Sequence, residues 1–177
     1  LRNYSDVICE IIPEMYPCIG FEQHSKYHDK TVYGHIAATV AAAEPTVEAR
    51  LTMLLHDIGK LWEINPLPAG DYSTAGQLLG HIYMGAQMIN DLAHQIPEFP
   101  EVLKNELIHC ILSHHGELEY GSPKKPALVE AVALNLADNT DARMETITEI
   151  FAANKSKKEW LGYNKLFESN LRRTDEV

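Results

Sequence analysis

The sequence has few cysteines, and their positions do not suggest a site. Cys9, Cys18 and Cys110 are the only three in 177 residues, and no two of them have CxxC spacing. An odd number without that spacing indicates neither a disulfide framework nor a thiolate zinc site. We therefore expect all three to be small side chains of the core.

Positive charge is also scarce. The chain has 15 lysines and arginines against 25 aspartates and glutamates, which gives a formal net charge of -10. Binding to nucleic acid through bulk positive charge requires many basic side chains that neutralise phosphates, so the composition argues against a protein that coats duplex DNA. It does not exclude a small phosphate ester that is held by metal ions.

Long apolar runs are absent as well. Crossing a bilayer takes about 20 consecutive apolar residues, and the opening "LRNYSDVICE" lacks the basic and apolar segments of a signal peptide. We expect a soluble, cytoplasmic protein without a membrane partner. With 45% hydrophobic residues, the chain predicts a single domain over 1–177, with a core at about 31–150 and a basic, aromatic tail at 151–177.

Apolar residues recur at helical spacing in nearly every segment, whereas strand-like alternation is rare. The pattern predicts an all-α fold, a compact bundle of about six or more helices. Proline and turn residues divide it into predicted helices at 5–12, 31–43, 46–58, 78–94, 100–114 and 126–154. Loops are predicted at 62–77 and 116–126, and a short helix is predicted in the tail.

The stretch "LTMLLHDIGK", residues 51–60, carries two polar side chains at the end of an apolar helix. His56 and Asp57 alone would be typical of a capped, exposed helix end. However, other predicted helices also have a histidine or aspartate on or beside an apolar face. These residues are His35, His81, His114, His115 and Asp138. Because unpaired buried imidazoles and carboxylates are costly and bound cations remove that cost, we expect these side chains to converge on metal.

The donor types narrow the choice of metal. Imidazole and carboxylate without thiolate suit Mn, Fe, Zn or Ni. Seven candidate ligands exceed what one tetrahedral ion takes, so the count favours two divalent ions that share Asp57. Two ions about 3.5 to 4 Å apart stabilise the attacking and leaving oxygens of a phosphoryl transfer and activate a water. The pattern therefore indicates hydrolysis of a phosphate ester.

The order His35, His56-Asp57, Asp138 is identified as the signature of the HD-domain superfamily of metal-dependent phosphohydrolases. Residues 51–144 most resemble the HD domain of YhaM-type 3'-to-5' exoribonucleases, through "LLHDIGK", "LLGHIYMG", "ILSHHGELEYGSP" and "LADNTDAR". The resemblance implies an HD-type helical bundle in which Lys60 faces the substrate phosphate. It also implies a set of metal ligands: His35, His56, Asp57, His81, His114, His115 and Asp138.

The rest of the chain differs from that family. The exoribonucleases carry an oligonucleotide-binding barrel before the HD domain, and 177 residues leave no room for one. Residues 11–35, "IIPEMYPCIGFEQHSKYHDKTVYGH", instead resemble the HD region of some bacterial tRNA nucleotidyltransferases, where the activity is that of a phosphatase or cyclic phosphodiesterase. A stand-alone protein and one piece of a longer chain both fit a sequence that opens at Leu1.

The charged neighbours of these ligands each have two interpretations. Lys60 follows the ligand pair past a glycine, where its ammonium suits either a phosphate oxygen or solvent at a helix end. Asp141 suits either the orientation of a ligand histidine or a surface ion pair. Tyr120 with Lys124 and Lys125 suits either nucleotide binding by charge and stacking or a solvated loop.

The tail allows the same two interpretations, because it combines basic and aromatic side chains: Lys155, Lys157 and Lys158 with Trp160 and Tyr163. The remaining histidines are predicted to be structural or exposed: His24, His28, His94 and His109. Asp29, in a second His-Asp dipeptide, is predicted to cap a helix.

Together these observations favour a metal-dependent phosphohydrolase, either a phosphodiesterase or a phosphatase, that cleaves an ester of a nucleotide or oligonucleotide with a metal-activated water. Asp57 is the predicted bridge between the ions. We expect His35, His56 and Asp138 to hold one ion and His81, His114 and His115 to hold the other. Two alternatives are a two-iron HD-type oxygenase, which uses the same ligands, and a noncatalytic binding module, against which the complete ligand set counts.

Overall fold

The computed structural model describes residues 5–21, 31–43, 46–65, 71–155 and 159–174. In these ranges the chain forms seven α-helices, α1 to α7: Ser5–Ile11, Val32–Ala42, Val47–Leu55, Lys60–Glu63, Thr74–Gln95, Glu101–Ser113 and Val129–Ala153. Two 3-10 helices, Pro13–Cys18 and Leu118–Tyr120, and two strands, β1 (Trp160–Asn164) and β2 (Ser169–Arg172), complete the described elements. The predicted all-α bundle is confirmed. None of the described helices combines the length and the apolar character that a membrane span requires.

Hydroxyl side chains set where three helices begin. Thr31 and Thr46 each accept a hydrogen bond from the backbone N–H three residues later, at 3.1 and 3.3 Å, and so cap α2 and α3. Ser73 caps α5 in the same way, at 2.9 Å. As a result α5 begins at Thr74 rather than at residue 78, and the loop expected at 62–77 is correspondingly shorter.

A break inside α5 leads into one of the predicted ligands. Gly80 has a φ of 73°, a left-handed conformation that favours glycine, and the helix restarts at His81. The side chain of Glu63, the last residue of α4, accepts a hydrogen bond from the backbone N–H of His81 at 3.0 Å. Glu63 therefore caps the restarted helix from a neighbouring element.

The core lies among α2, α3, α5, α6 and α7. Helix α7 contacts α2, α3 and α6, helix α6 also contacts α3 and α5, and α2 contacts α3. Its largest fully buried apolar side chains come from these helices and the segments next to them: Met15, Ile36, Met53, Ile58, Ile111 and Leu134. The three cysteines are free and buried, as expected. Burial raises the pKa of the Cys18 thiol to about 12 and that of Cys110 to about 11, which makes both thiols unreactive.

The tail forms a β-hairpin, so the short helix expected there is wrong. β1 and β2 pair antiparallel, and the aromatic residues Trp160 and Tyr163 favour a strand over a helix. The side chain of Asn164 accepts hydrogen bonds from the backbone N–H groups of Leu166 and Phe167 at 2.9 and 3.4 Å. This local turn chemistry reverses the chain between the two strands.

The residue that follows the hairpin holds it to the end of α7. The guanidinium of Arg173 donates hydrogen bonds to the backbone carbonyl oxygens of Phe151 and Asn154, the second at 3.1 Å. It also lies 5.1 Å from the centre of the Phe151 ring. These contacts bring hydrogen-bond donors to carbonyl groups at the end of α7, where few helical donors remain.

The turn after α3 packs directly on α5, and Gly59 makes this contact possible. A Cβ at Gly59 would lie 2.0 Å from the carbonyl oxygen of His81 and 2.9 Å from the backbone nitrogen of Gly85. No side chain larger than hydrogen fits there unless the two backbones separate. The contact holds the segment that contains His56 and Asp57 against the helix that contains His81.

Gly59→Ala should therefore lower the free energy of unfolding by about 1 to 3 kcal/mol, the usual cost of overpacking. Urea denaturation followed by circular dichroism measures the change. Gly85→Ala is the matched control, because its Cβ would lie 3.5 Å from its nearest neighbours, an ordinary contact. We expect the control to be unchanged or more stable by up to about 1 kcal/mol, since alanine is the better helix former. Equal losses in both variants would contradict the close packing at Gly59.

Candidate metal centre

The end of α3 explains how two adjacent residues reach one site. Within a continuous helix, the side chains of His56 and Asp57 would diverge by about 100°. Instead α3 ends at Leu55, and the chain turns through Ile58 before α4 begins at Lys60. His56 Nε2 consequently lies 3.3 Å from Asp57 Oδ2, and both side chains are buried.

Three of the predicted ligands form a first set of donors, here called the His35 group: His35, His56 and Asp138. One donor atom of each lies within 4.8 Å of the others. His35 Nε2 is 3.0 Å from Asp138 Oδ1 and 3.2 Å from His56 Nε2. The group brings together α2, the end of α3 and α7.

Three other predicted ligands form a second set, the His81 group: His81, His114 and His115. Their donor atoms also lie within 4.8 Å of one another. The ring centres of His114 and His115 are 4.3 Å apart, and that of His81 is 5.5 and 5.1 Å from them respectively. This group joins α5 to the end of α6.

Asp57 lies between the two groups and presents a different oxygen to each. Its Oδ2 is 3.4 Å from His35 Nε2 and 3.3 Å from His56 Nε2. Its Oδ1 is 3.7 Å from His81 Nε2 and 3.9 Å from His114 Nε2. A carboxylate in this position can be shared by two cations.

All five imidazoles of the two groups are oriented through Nδ1. Each Nδ1 lies 2.7 to 2.9 Å from an oxygen that can only accept a hydrogen bond: Asp141 Oδ2 for His35, Met53 O for His56, Glu63 Oε1 for His81, Ile111 O for His114 and Tyr120 O for His115. Nδ1 must therefore carry the proton and donate it. In a neutral ring, the Nε2 atom that faces the centre is then left to offer an electron pair, as in metal-bound histidine.

The His81 group contains two buried nitrogen atoms that lack a hydrogen-bond partner in the described part of the chain. Nε2 of His81 and Nε2 of His114 are buried and have no hydrogen-bond partner among the described residues. Burial, followed by repulsion from the neighbouring His115, holds the pKa of His114 well below its usual value, and burial also lowers that of His115. The rings of His114 and His115 are therefore neutral at pH 7, and a cation would satisfy the two orphaned nitrogens. The donor set fits a divalent metal.

The carboxylates of the centre are ionised although they are buried. Burial would raise the pKa of Asp57, but the Lys60 ammonium, 2.8 Å from Oδ2, and the nearby imidazoles hold it well below its usual value. The imidazole of His35 shows the opposite balance. Burial alone would lower its pKa, but hydrogen bonds to Asp138 and Asp141 raise that pKa to about 9. A cation bound by the His35 group would displace the extra proton of that ring.

Two carboxylates outside the ligand set orient ligand histidines. Asp141, for which the sequence left two interpretations, contacts His35 and so favours the orienting one. Glu63 was missed, because residues 62–77 were assigned to a loop. It accepts hydrogen bonds from both the ring and the backbone of His81, and the hydrogen bond to the ring lowers its own pKa in spite of burial. Its place three residues after Lys60, on one helical face, is the only signal that the sequence offered.

The predicted substrate-binding residues differ in how close they lie to this centre. Two adjoining cavities, of about 350 and 480 Å³, open beside it, and Tyr120 lines both. Lys125 lines the larger one and is paired with Glu117 at 2.6 Å. Lys60 is buried against Asp57, and Lys124 is exposed; neither lines these two cavities. Their roles toward a substrate stay predictions.

Other residues singled out in the sequence lie away from the centre or outside the described ranges of the chain. Lys155, Trp160 and Tyr163 are exposed and line neither of the two cavities. His109 Nε2 accepts a hydrogen bond from the backbone N–H of Ala127 at 2.9 Å, a structural contact as expected. His94 is exposed. The residues outside the described ranges are His24, His28, Asp29, Lys157 and Lys158.

Comparison with known proteins agrees with this arrangement. The family model of the HD domain matches residues 32–143, more than half of the chain. The chain therefore belongs to the HD domain family, which confirms the family identified from the motifs. The family model does not match residues 11–31, and the likeness of residues 11–35 to tRNA nucleotidyltransferases stays a prediction.

Similar curated proteins are named as 3'-5' exoribonuclease YhaM. The protein from Bacillus subtilis (strain 168) is 37% identical over 115 residues, which cover 62% of this chain and 36% of that protein. The protein from Halalkalibacterium halodurans is 38% identical over 114 residues, 62% of this chain and 35% of its own. The one from Oceanobacillus iheyensis is 42% identical over 96 residues, 54% and 30% of the two chains. The chain thus spans about a third of the length of these relatives. No solved structure matches it.

The two orienting carboxylates should affect different donor groups. Glu63→Gln should weaken metal binding by the His81 group, and Asp141→Asn that by the His35 group, each by about 10- to 100-fold, because loss of the charged acceptor reduces ligand basicity. Titration of metal-free protein with Mn²⁺, followed by calorimetry, measures both. Asp91→Asn, an exposed aspartate of α5, is the control. If both variants bound Mn²⁺ as tightly as the control, the orienting role would be wrong.

Proposed function

We propose that this chain is a divalent-metal-dependent phosphohydrolase that cleaves phosphate esters of a nucleotide or oligonucleotide with a metal-activated water. The observation that carries the proposal is the position of Asp57, whose two oxygens face the His35 group and the His81 group separately. In this proposal each group holds one ion and Asp57 contacts both. Ions so bound would lower the pKa of a water and stabilise charge on the phosphoryl oxygens.

The chain's own side chains prepare the site for this chemistry. The Nδ1 hydrogen bonds fix five imidazole rings, so the cost of ordering the donors is met during folding and not at each turnover. The Lys60 ammonium keeps Asp57 ionised. We assign Lys60 a second task, the attraction of a phosphate oxygen, as the family resemblance implies.

The donor chemistry supports a particular set of ions. Five imidazole nitrogens and two carboxylates, without any thiolate, suit Mn, Fe, Ni or Zn better than Mg or Ca, which prefer oxygen ligands. We infer two ions, since each donor group supplies three side chains and Asp57 is common to both. The proposed HD-type core covers about residues 31–150, and the tail that contains the hairpin follows it.

The substrate class is supported by the relatives and by the cavities. The similar proteins are named as exoribonucleases, which act on oligonucleotide phosphodiesters. Because the chain spans only about a third of their length, an activity on RNA belongs to the proposal. Tyr120 lines both cavities beside the centre and offers an aromatic ring for a base to stack on.

Asp57→Asn should abolish most metal binding and reduce hydrolysis of bis(p-nitrophenyl) phosphate by at least about 100-fold, the upper end of what loss of an outer hydrogen-bond partner costs. The variant keeps the size of the side chain and removes the charge that both donor groups face. Metal content is measured by mass spectrometry, and turnover under argon with added Mn²⁺.

Asp91→Asn is the matched control, since it removes the same charge from the exposed surface of α5. Circular dichroism checks that both variants are folded. Metal content and turnover that survive in Asp57→Asn would end the proposal. Turnover that required oxygen would favour the oxygenase instead.

A further inference from the structure

The two cavities beside the metal centre adjoin each other and are together called the cleft here. They share four lining residues: His115, Tyr120, Asn139 and Arg143. The smaller cavity also includes Asp138. Because His115 belongs to the His81 group and Asp138 to the His35 group, a ligand in the smaller cavity would lie against both donor groups. A volume of about 350 Å³ is within the usual range of small-molecule sites.

The basic side chains near this cleft differ in whether a carboxylate already offsets their charge. The ammonium of Lys60 is buried 2.8 Å from Asp57 Oδ2, and that of Lys125 lies 2.6 Å from Glu117 Oε2. Arg143 is exposed and has no hydrogen bond or ion pair with any residue in the described part of the chain. Among the described basic residues that line the cleft, Arg143 is therefore the one available to a ligand.

The position of Arg143 on α7 suits contact with a ligand at the centre. Asn139 and Arg143 are four residues apart, so they are neighbours on one face of the helix. Asn139 directly follows Asp138, a member of the His35 group. Arg143 thus stands about one helical turn from the metal centre, at the boundary that both cavities share.

The other walls of the smaller cavity are largely apolar or aromatic. Ala142 and the methyl-bearing Thr146 come from α7, Tyr120 comes from the second 3-10 helix, and Leu166 comes from the turn of the hairpin. A cation beside such walls matches a ligand that has both an anionic group and a flat apolar ring. A nucleotide has both.

We propose that Arg143 binds the phosphate group of the nucleotide substrate in this cleft. The identity of the ligand rests on the function proposed above. A guanidinium is always charged and can donate hydrogen bonds to two phosphate oxygens at once. A lysine ammonium cannot do so with the same geometry. In a chain with a net charge of -10, an anionic ligand needs a local cation of this kind.

Arg143→Gln tests the proposal through binding and kinetics together. Calorimetric titration with adenosine 5'-monophosphate gives Kd for the protein as purified, and hydrolysis of a penta-uridylate gives KM and kcat. We expect Kd and KM to rise by about 10- to 100-fold, the usual loss for hydrogen bonds to a charged group. The change in kcat should stay below about threefold, because the bound ions and their ligands are untouched. Arg143→Lys should recover part of the lost affinity, since it keeps the positive charge but not the paired N–H donors of the guanidinium.

Arg50→Gln is the matched control, because Arg50 is an exposed arginine on α3 that lines neither cavity. Its constants should equal those of the unchanged protein. If Arg143→Gln leaves Kd and KM unchanged while esters are hydrolysed, the role of Arg143 is overturned and the proposed function stands. If the nucleotide binds through Arg143 but no ester is hydrolysed, the proposed function fails and the binding site stands. Equal losses in both variants, or no binding to the unchanged protein, would overturn the role of Arg143.

Discussion

Burial of polar side chains at the centre of a helical core is the constraint on which the rest of the structure depends. His35, His56, Asp57 and His114 are at most 1% exposed, at positions where a helical bundle would ordinarily bury leucine. Imidazole and carboxylate groups lose their hydration there, and hydrogen bonds from the protein restore only part of it. Each ring is satisfied at Nδ1, whereas the Nε2 atoms of His81 and His114 find no described partner. A cation held by these two nitrogens is the simplest means of removing the remaining cost.

The same local hydrogen bond fixes a buried histidine at two helix ends. His56 follows the last residue of α3 and His114 follows the last residue of α6. Each ring donates through Nδ1 to the carbonyl three residues earlier in its own helix, Met53 O or Ile111 O. The last carbonyls of a helix lack helical partners, so one hydrogen bond both satisfies the helix end and fixes the ring. In both places the next residue, Asp57 or His115, is the second predicted ligand, because the chain turns as the helix stops.

Much of this centre could be predicted from the sequence, because its polar residues stand at helical positions where an apolar side chain is expected. Polar residues such as His35 and Asp138 interrupt apolar faces, and the expected division into two sets of three matches the two groups of donor atoms in space. Their role as ligands stays a prediction. Glu63 was not found, because its contact with His81 spans 18 residues and depends on a break at Gly80 that helical periodicity does not reveal.

The other differences from the sequence predictions arise where a local contact determines which secondary structure a segment forms. α5 begins at Thr74 because the hydroxyl of Ser73 caps it, although the segment lacks an apolar stripe. The tail pairs as a hairpin because aromatic residues and the turn at Asn164 favour strands, and a contact with α7 then fixes it. Propensity alone did not distinguish these outcomes, since each depends on one or two hydrogen bonds to a particular neighbour.

The charge of the centre sets the order in which its ligands can arrive. In the protein alone, Asp57 and Asp138 are both ionised, and their pKa values are held below the usual range. An approaching phosphate would meet these carboxylates while Lys60 and Lys125 are already paired with acidic groups. Charges farther away matter little, because salt screens exposed groups beyond about 8 Å under physiological conditions. Under the proposed function, the cations are therefore expected to bind before the anion, because Arg143 alone would supply one positive charge beside two ionised carboxylates. Metal affinity and substrate affinity are linked for the same reason, and each ligand should tighten the binding of the other.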